Sequence, residues 1–263
     1  MPELAALEDR LRSLQRVVVA FSGGADSAFL AWVAHHTLGP DGCLVATAVS
    51  PSLAADEHAD CEALASEWGL RWRPMPTSEL DDLAYVSNDG DRCARCKTAL
   101  MDVLGPLAVE SGATVVLGVN LDDLGDHRPG QRAAADRGAV FPLVEAGSTK
   151  ADVRSSSRRL GLRTWDKPAA ACLASRVPYG TPVTVAVLSR VERAEAGMRR
   201  LGFASLRVRH YGDTARLEVP LEDLPSVMVH RDAVVATVKA AGYTYVTLDL
   251  EGLRSGNLNQ ALS

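Results

Sequence analysis

Val17-Val18-Val19-Ala20-Phe21-Ser22-Gly23-Gly24-Ala25-Asp26-Ser27 decides the fold, because five apolar residues run into a glycine pair and a helical pattern over residues 26–38 follows. A short, continuously apolar run of this kind is a strand buried on both faces. The turn behind it sets backbone N–H groups at a helix start, where the dipole favours an anion. Two glycines let that backbone turn tightly and come close to a phosphate. Ser22 and Ser27 add hydroxyl donors, and Ala25 completes the loop. Asp26 alone would repel a phosphate, so its place here is as a ligand for Mg²⁺ that bridges the two. A plain strand-to-helix turn capped by Asp26 is the competing account, and a bare glycine pair would suit it. The full loop over residues 22–27, in a strand–turn–helix setting, favours phosphate. It lacks both the Gly-Lys-Ser/Thr ending of Walker-type loops and the Gly-x-Gly-x-x-Gly of dinucleotide folds.

The alternation continues outward from this loop. Strands are expected at 43–49, 71–75 and 114–119, and helices at 56–68 and 95–110. Strands alternating with helices imply an α/β fold, a parallel sheet with helices on both faces. Ligands in such sheets bind beyond the carboxyl ends of the strands, where the strand order reverses. An amphipathic helix with Leu4, Leu7, Leu11 and Leu14 on one face precedes the first strand. Past residue 182 the pattern changes. A helix at 183–201 ends at Gly202, and two period-two strands, 206–210 and 215–219, flank Tyr211-Gly212-Asp213-Thr214 as a hairpin. A helix over about 221–241 and a strand at 243–250 complete a small α+β domain. The expected division is 1–175 and 176–263, at a stretch holding two prolines and a glycine.

Composition narrows the function. The chain has 263 residues and a net charge of −5. Nonspecific nucleic-acid binding needs many Lys and Arg phosphate contacts, and this chain has no basic excess to supply them. A local basic pocket is compatible with the balance. No apolar run is long enough to span a membrane or to act as a secretion signal, so a cytoplasmic protein is expected. Five cysteines in such a chain do not suggest a disulfide framework.

Individual residues carry the chemistry further. Cys93-Ala94-Arg95-Cys96, preceded by Arg92, places two thiols one turn apart at a helix start, a setting that favours thiolate. With Cys172 they make three candidate metal ligands, whereas Cys43 and Cys61 read as core. Lys97 is a candidate phosphate ligand. Arg207 and Arg209 lie two apart on a strand and so share a face. With Arg254 and Ser255 they offer forked donors for a substrate phosphate. Arg176, four residues after Cys172, is a candidate partner for a developing oxyanion or a thiolate.

The loop Ser-Gly-Gly-x-Asp-Ser resembles the PP-loop of the ATP pyrophosphatase superfamily, whose members cleave ATP between the α- and β-phosphates and adenylate a substrate. Within it, Gly118-Val119-Asn120-Leu121-Asp122-Asp123-Leu124-Gly125-Asp126-His127-Arg128-Pro129-Gly130 resembles a stretch of the LarE sulfur transferases. So does Trp165-Asp166-Lys167-Pro168-Ala169-Ala170-Ala171-Cys172-Leu173-Ala174-Ser175-Arg176-Val177-Pro178-Tyr179-Gly180-Thr181. Val119 and His127 stand where that family more often has Thr and Tyr. The likeness runs along essentially the whole chain.

The resemblance implies that adenine rests near Ala48, Ser50 and Gly118, with Asp122 among the nucleotide contacts. It implies adenylation of a carboxylate of a pyridinium-dicarboxylate mononucleotide, then displacement of AMP by sulfur, in making the nickel-pincer cofactor of lactate racemase. Sulfur comes in that family from a [4Fe–4S] cluster on three cysteines, here Cys93, Cys96 and Cys172, or from a sacrificed cysteine, here Cys172. Zinc or plain structural thiols are further readings of the same set. Glu195 and Glu218 are implied in a metal or interface site, and a homo-oligomer is implied. A tRNA-thiolating enzyme shares the loop and the thiols but calls for a basic RNA surface. NAD or GMP synthetase needs ammonia or glutamine handling and no cysteine triad. A nucleotide sensor of the same fold would leave Asp26 and the thiols without work.

Overall fold

A computed structural model describes residues 2–125, 129–168, 171–254 and 257. Along the chain lie α1 (Pro2–Leu14), β1 (Val17–Ala20), α2 (Ala25–Gly42), β2 (Cys43–Val49), α3 (Ala55–Glu67), β3 (Trp72–Pro76), α4 (Leu83–Val86), α5 (Arg92–Ser111) and β4 (Thr114–Leu117). There follow α6 (Pro129–Ala135), α7 (Pro142–Glu145), α8 (Lys150–Arg159), α9 (Val185–Arg200), β5 (Arg207–Tyr211), β6 (Thr214–Glu218), α10 (Leu224–Val229), α11 (Arg231–Ala240) and β7 (Tyr245–Leu248). They form two compact units, residues 1–79 with 91–170, and residues 80–90 with 171–263.

The first unit holds a four-stranded sheet in the order β3-β2-β1-β4 with every pairing parallel. Period-two alternation sorts the strand residues between two cores. Val17, Val19, Val45 and Val116 face one side, with Leu7 and Leu11 of α1, Phe29 and Leu30 of α2 and Cys61 and Leu64 of α3. Val18, Leu44, Ala46, Val115 and Leu117 face the other, with Leu100, Met101 and Leu104 of α5. Both faces are therefore covered, which is why these strands read as unbroken apolar runs. Burying each of these large side chains is worth about 1.5–3 kcal/mol. Chain order reverses at β1, which pairs β2 on one side and β4 on the other, so the loops after β1 and β4 lie at the switch point.

Several elements depart from the expectations. The helical rows of α2 are interrupted at Gly39, with φ 72 and Pro40 next, so the regular part stops where the sequence pattern does. Helices α4, α6, α7 and α8 have no counterpart among the expected elements. Of these α8 has a clear local cause, a capping box in which Thr149 and Asp152 satisfy each other's backbone N–H groups.

In the second unit β5-β6-β7 form a mixed sheet, β5 antiparallel and β7 parallel to β6. The hairpin is present, with Tyr211 opposite Thr214 and Gly212 at φ 61, the conformation a two-residue turn asks of glycine. The single helix expected over 221–241 is instead a 3₁₀ turn (Leu221–Asp223), α10 and α11. Pro225 cannot donate into a continuous helix and sits in the first turn of a new one. Residues 80–90 join this unit through Asn88, whose Nδ2 donates to the carbonyls of Pro178 at 2.7 Å and Thr181 at 2.9 Å. A linear boundary at residue 176 does not include that segment. No helix among the described residues is long and apolar enough to cross a membrane.

Candidate active site

The loop after β1 is built by its own side chains. Ser27 Oγ accepts from Ser22 N at 3.2 Å, lies 3.1 Å from Ser22 Oγ and donates to Gly24 O at 3.1 Å. Gly23 takes φ 68, and Gly24 stands at the start of α2 with no side chain capping the helix. The first-turn N–H groups are thus left to an anion. Behind the loop, Gly118 at the end of β4 touches it backbone to backbone. A Cβ on Gly118 would stand 2.8 Å from Ser27 N and 2.9 Å from Asp26 C. Only glycine lets the two loops meet this closely.

Asp26, in the first turn of α2, is the chemical centre of the loop. Burial, reinforced by Asp123, pushes its carboxyl above the usual aspartate range against the opposing pull of Asn120, Lys150 and Arg154. Among the described residues its Oδ1 is buried with no hydrogen-bond partner, and so is Asn120 Nδ2, so Asn120 acts on Asp26 by proximity without a well-formed bond. An orphaned carboxylate oxygen beside a phosphate loop suits a Mg²⁺ ligand, since Mg²⁺ takes one or two carboxylates and fills its remaining positions with water and phosphate. Asn120 Oδ1 accepts from Asp122 N at 3.0 Å and Asp123 N at 3.3 Å, fixing the turn after Gly118. Asp122 itself accepts from Lys150 N at 2.7 Å, at the start of α8. The nucleotide contact expected of Asp122 therefore competes with a helix-capping one.

At the end of β2, Ser50 donates to Glu79, and Glu79 Oε2 is buried without a partner. On the other side of the loop, Lys167 Nζ donates to Glu57 at 2.8 Å and Asp60 at 2.6 Å, both on α3. A Cβ on Gly23 would lie 3.7 Å from that ammonium and 3.0 Å from Cys61 Sγ. Glu79 and Lys167 escaped the sequence reading. Lys167 lies within a stretch that was singled out, but its approach to Gly23 is tertiary and leaves no trace in local spacing. Lys97, expected as a phosphate ligand, lies in the second turn of α5 with its stem packed against Gly130 of α6.

Cys93 and Cys96 sit in the first turns of α5, exposed and half-buried respectively, and Cys172 is exposed. The donor set is right in kind for a thiolate-bound metal. Among the described residues no group of three His, Cys, Asp or Glu stands together to hold a metal ion. Cys43 and Cys61 are core residues, and burial pushes their thiols up to about 12 and about 11.

In the second unit the arginines form one network. Arg176 is buried, with Nε 2.8 Å from Glu195 Oε1 and Nη2 3.2 Å from Oε2. Its Nη1 donates to the carbonyls of Ala171 at 2.6 Å and Cys172 at 3.1 Å. In place of a guanidinium free for an oxyanion, the structure has a clamp on the segment that carries Cys172. Arg209 is buried, donates to Ser175 O at 2.7 Å and lies 2.9 Å from Glu218 Oε2, while its Nε has no partner. Arg207 shares the face of Arg209, as the strand period requires, and bonds to Arg254 O at 3.1 Å. Burial and then the charges of Arg209 and Arg176 lower its pKa, so an anion beside it is favoured. Glu195 and Glu218 neutralise these arginines and need no metal to account for their burial. His127 and Ser255 lie outside the described residues.

No protein-family model matches the chain. It is 44% identical over 264 residues to an uncharacterized protein of Synechocystis sp., covering 99% of this chain and 98% of the relative. Against the pyridinium-3,5-bisthiocarboxylic acid mononucleotide synthase of Lactiplantibacillus plantarum the identity is 37% over 260 residues, 98% of this chain and 94% of that protein. An uncharacterized protein of Methanocaldococcus jannaschii is 23% identical over 242 residues, 92% of each chain.

Proposed function

The chain belongs to the LarE family of sulfur transferases, and on that premise we propose that it adenylates a carboxylate of pyridinium-3,5-dicarboxylate mononucleotide and converts it to a thiocarboxylate. The observation that carries this reading is the loop over residues 22–27, backed by Gly118 and carrying the orphaned oxygen of Asp26. A carboxylate resists nucleophiles because its charge repels them; joined to AMP it gains a good leaving group. The loop N–H groups hold the β- and γ-phosphates in line with the attacking carboxylate oxygen, while Ser27, whose hydroxyl proton goes to Gly24 O, and Ser22 brace the loop in place of the phosphate contacts expected of them. Asp26 would hold Mg²⁺, which supplies neutralisation of the charge on departing pyrophosphate. Ala48 and Ser50 border the adenine in this reading.

Arg207, Arg209 and Arg254 are the proposed grip on the substrate phosphate, with Arg209 paired to Glu218, Arg254 to Glu251, and Arg207 bonded to the Arg254 carbonyl. Arg176 serves as a positioning residue, because it fixes the carbonyls of Ala171 and Cys172. Cys93, Cys96 and Cys172 would hold a [4Fe–4S] cluster, which supplies an open iron for an extra sulfide. The exposure of Cys172 equally suits a reading in which its own sulfur is given up. A cytoplasmic homo-oligomer acting on a small-molecule nucleotide, with no nucleic acid, fits the acidic balance of the chain.

The test is incubation of anaerobically purified protein with ATP, Mg²⁺ and the dicarboxylate mononucleotide. Thiocarboxylate should appear by mass spectrometry in step with AMP and pyrophosphate. Nucleotide turnover that leaves the acceptor unchanged contradicts the assignment. Iron and sulfide in the purified protein, with Cys172 intact after turnover, mark the cluster route. Loss of the mass of one H₂S from Cys172 marks the sacrificial one.

A further inference from the structure

The loop that cradles the phosphates contains no lysine or arginine, unlike Walker-type loops, although a triphosphate brings several negative charges to it. Lys150 and Arg154 act by charge on Asp26, and Lys167, also far along the chain, is brought against the glycine of the loop. Lys167 Nζ lies 3.7 Å from where a Cβ on Gly23 would stand, so the bare glycine backbone is the surface it faces. The other neighbours there are Leu64 and the Cys61 thiol, which is buried and neutral. We propose that Lys167 is a phosphate-binding cation of this site, donating to a β- or γ-phosphate oxygen when ATP occupies the loop.

Donor arithmetic supports the assignment. An ammonium has three N–H donors. Among the described residues Glu57 and Asp60 accept two of them, at 2.8 and 2.6 Å, which leaves one. The two carboxylates aim the lysine and keep it charged. Burial alone would lower its pKa, but the bonds to Asp60 and Glu57 outweigh burial and hold it above the usual lysine value. Asp60 is shared with Arg163, at 2.8 Å, so it can yield part of its hold on Lys167 to a phosphate and remain paired. As the bond between the α-phosphorus and its bridging oxygen breaks, charge builds on the departing pyrophosphate, and a fixed ammonium there stabilises it. The proposal rests on reading residues 22–27 as a phosphate loop.

The experiment compares ATP and AMP binding to the full-length chain by calorimetry, for the wild type and for Lys167→Met, Lys167→Arg and Glu57→Gln, each checked for folding by circular dichroism. Lys167→Met should weaken ATP binding on the order of 10–100-fold, the range of a charge-assisted hydrogen bond, and leave AMP binding unchanged. Lys167→Arg should keep part of the affinity. Glu57→Gln should tighten ATP, because the ammonium loses a competing carboxylate. A purely structural bridge predicts the opposite pattern: Lys167→Met and Glu57→Gln would weaken both nucleotides alike, and that result overturns the proposal. So does a Lys167→Met protein that binds ATP as the wild type does. A wild-type chain that binds ATP no more tightly than AMP overturns the loop reading, and this proposal with it.

Discussion

At Asp26, burial favours the neutral acid and the carboxyl titrates above its usual range, while the proposed chemistry needs the anion. Between the ordinary aspartate value and the raised one, the folded chain binds more protons than the unfolded chain. The stability tied to this group is therefore complete below the ordinary value and lost as pH rises through the raised one. Asp26→Asn should raise the thermal midpoint at neutral pH and cut pyrophosphate release by ~1000-fold, since metal charge stabilisation is worth several kcal/mol. A lowered midpoint together with full activity would contradict both halves. Arg176 is a different case, because its partner Glu195 is fully buried. Arg176→Ala leaves that carboxylate with Arg199 and the Val208 N–H and should cost about 3–5 kcal/mol in urea unfolding. Lysine should restore only part, since it cannot deliver two parallel bonds.

The elements divide into those whose cause is local and those whose cause is not. Strand β2 begins and ends where its apolar run does, at Cys43 and Val49, and the hairpin of β5 and β6 follows from period-two alternation about Gly212. Residues 80–90 were illegible because Asn88 binds backbone carbonyls some ninety positions away. The break between α10 and α11 was obscured because an apolar pattern continues across His230 while the backbone does not. Within the site, the loop and its glycines were readable, whereas the fixed guanidinium of Arg176 and the ammonium of Lys167 depend on tertiary partners. The close approach of β4 to the loop gives an element-scale prediction. Gly118→Ala has to push against Ser27 N and Asp26 C, which are backbone atoms that cannot turn aside. ATP affinity should fall at least tenfold while far-UV circular dichroism stays native. Unchanged affinity would mean that the contact between the two loops is not required.

At the scale of the molecule, one unit carries the glycine loop over residues 22–27, proposed here to bind nucleotide, and the other carries Cys172 and the arginine network. In the proposed reading, glycine backbone, the Asp26 carboxylate and a helix start serve ATP activation, and the thiols of Cys93, Cys96 and Cys172 serve sulfur transfer. The measurement that tests the account most directly is the identity of the nucleotide product when the protein turns over ATP with Mg²⁺ and the dicarboxylate mononucleotide. Cleavage between the α- and β-phosphates predicts AMP and pyrophosphate in equal amounts. ADP and orthophosphate would contradict it.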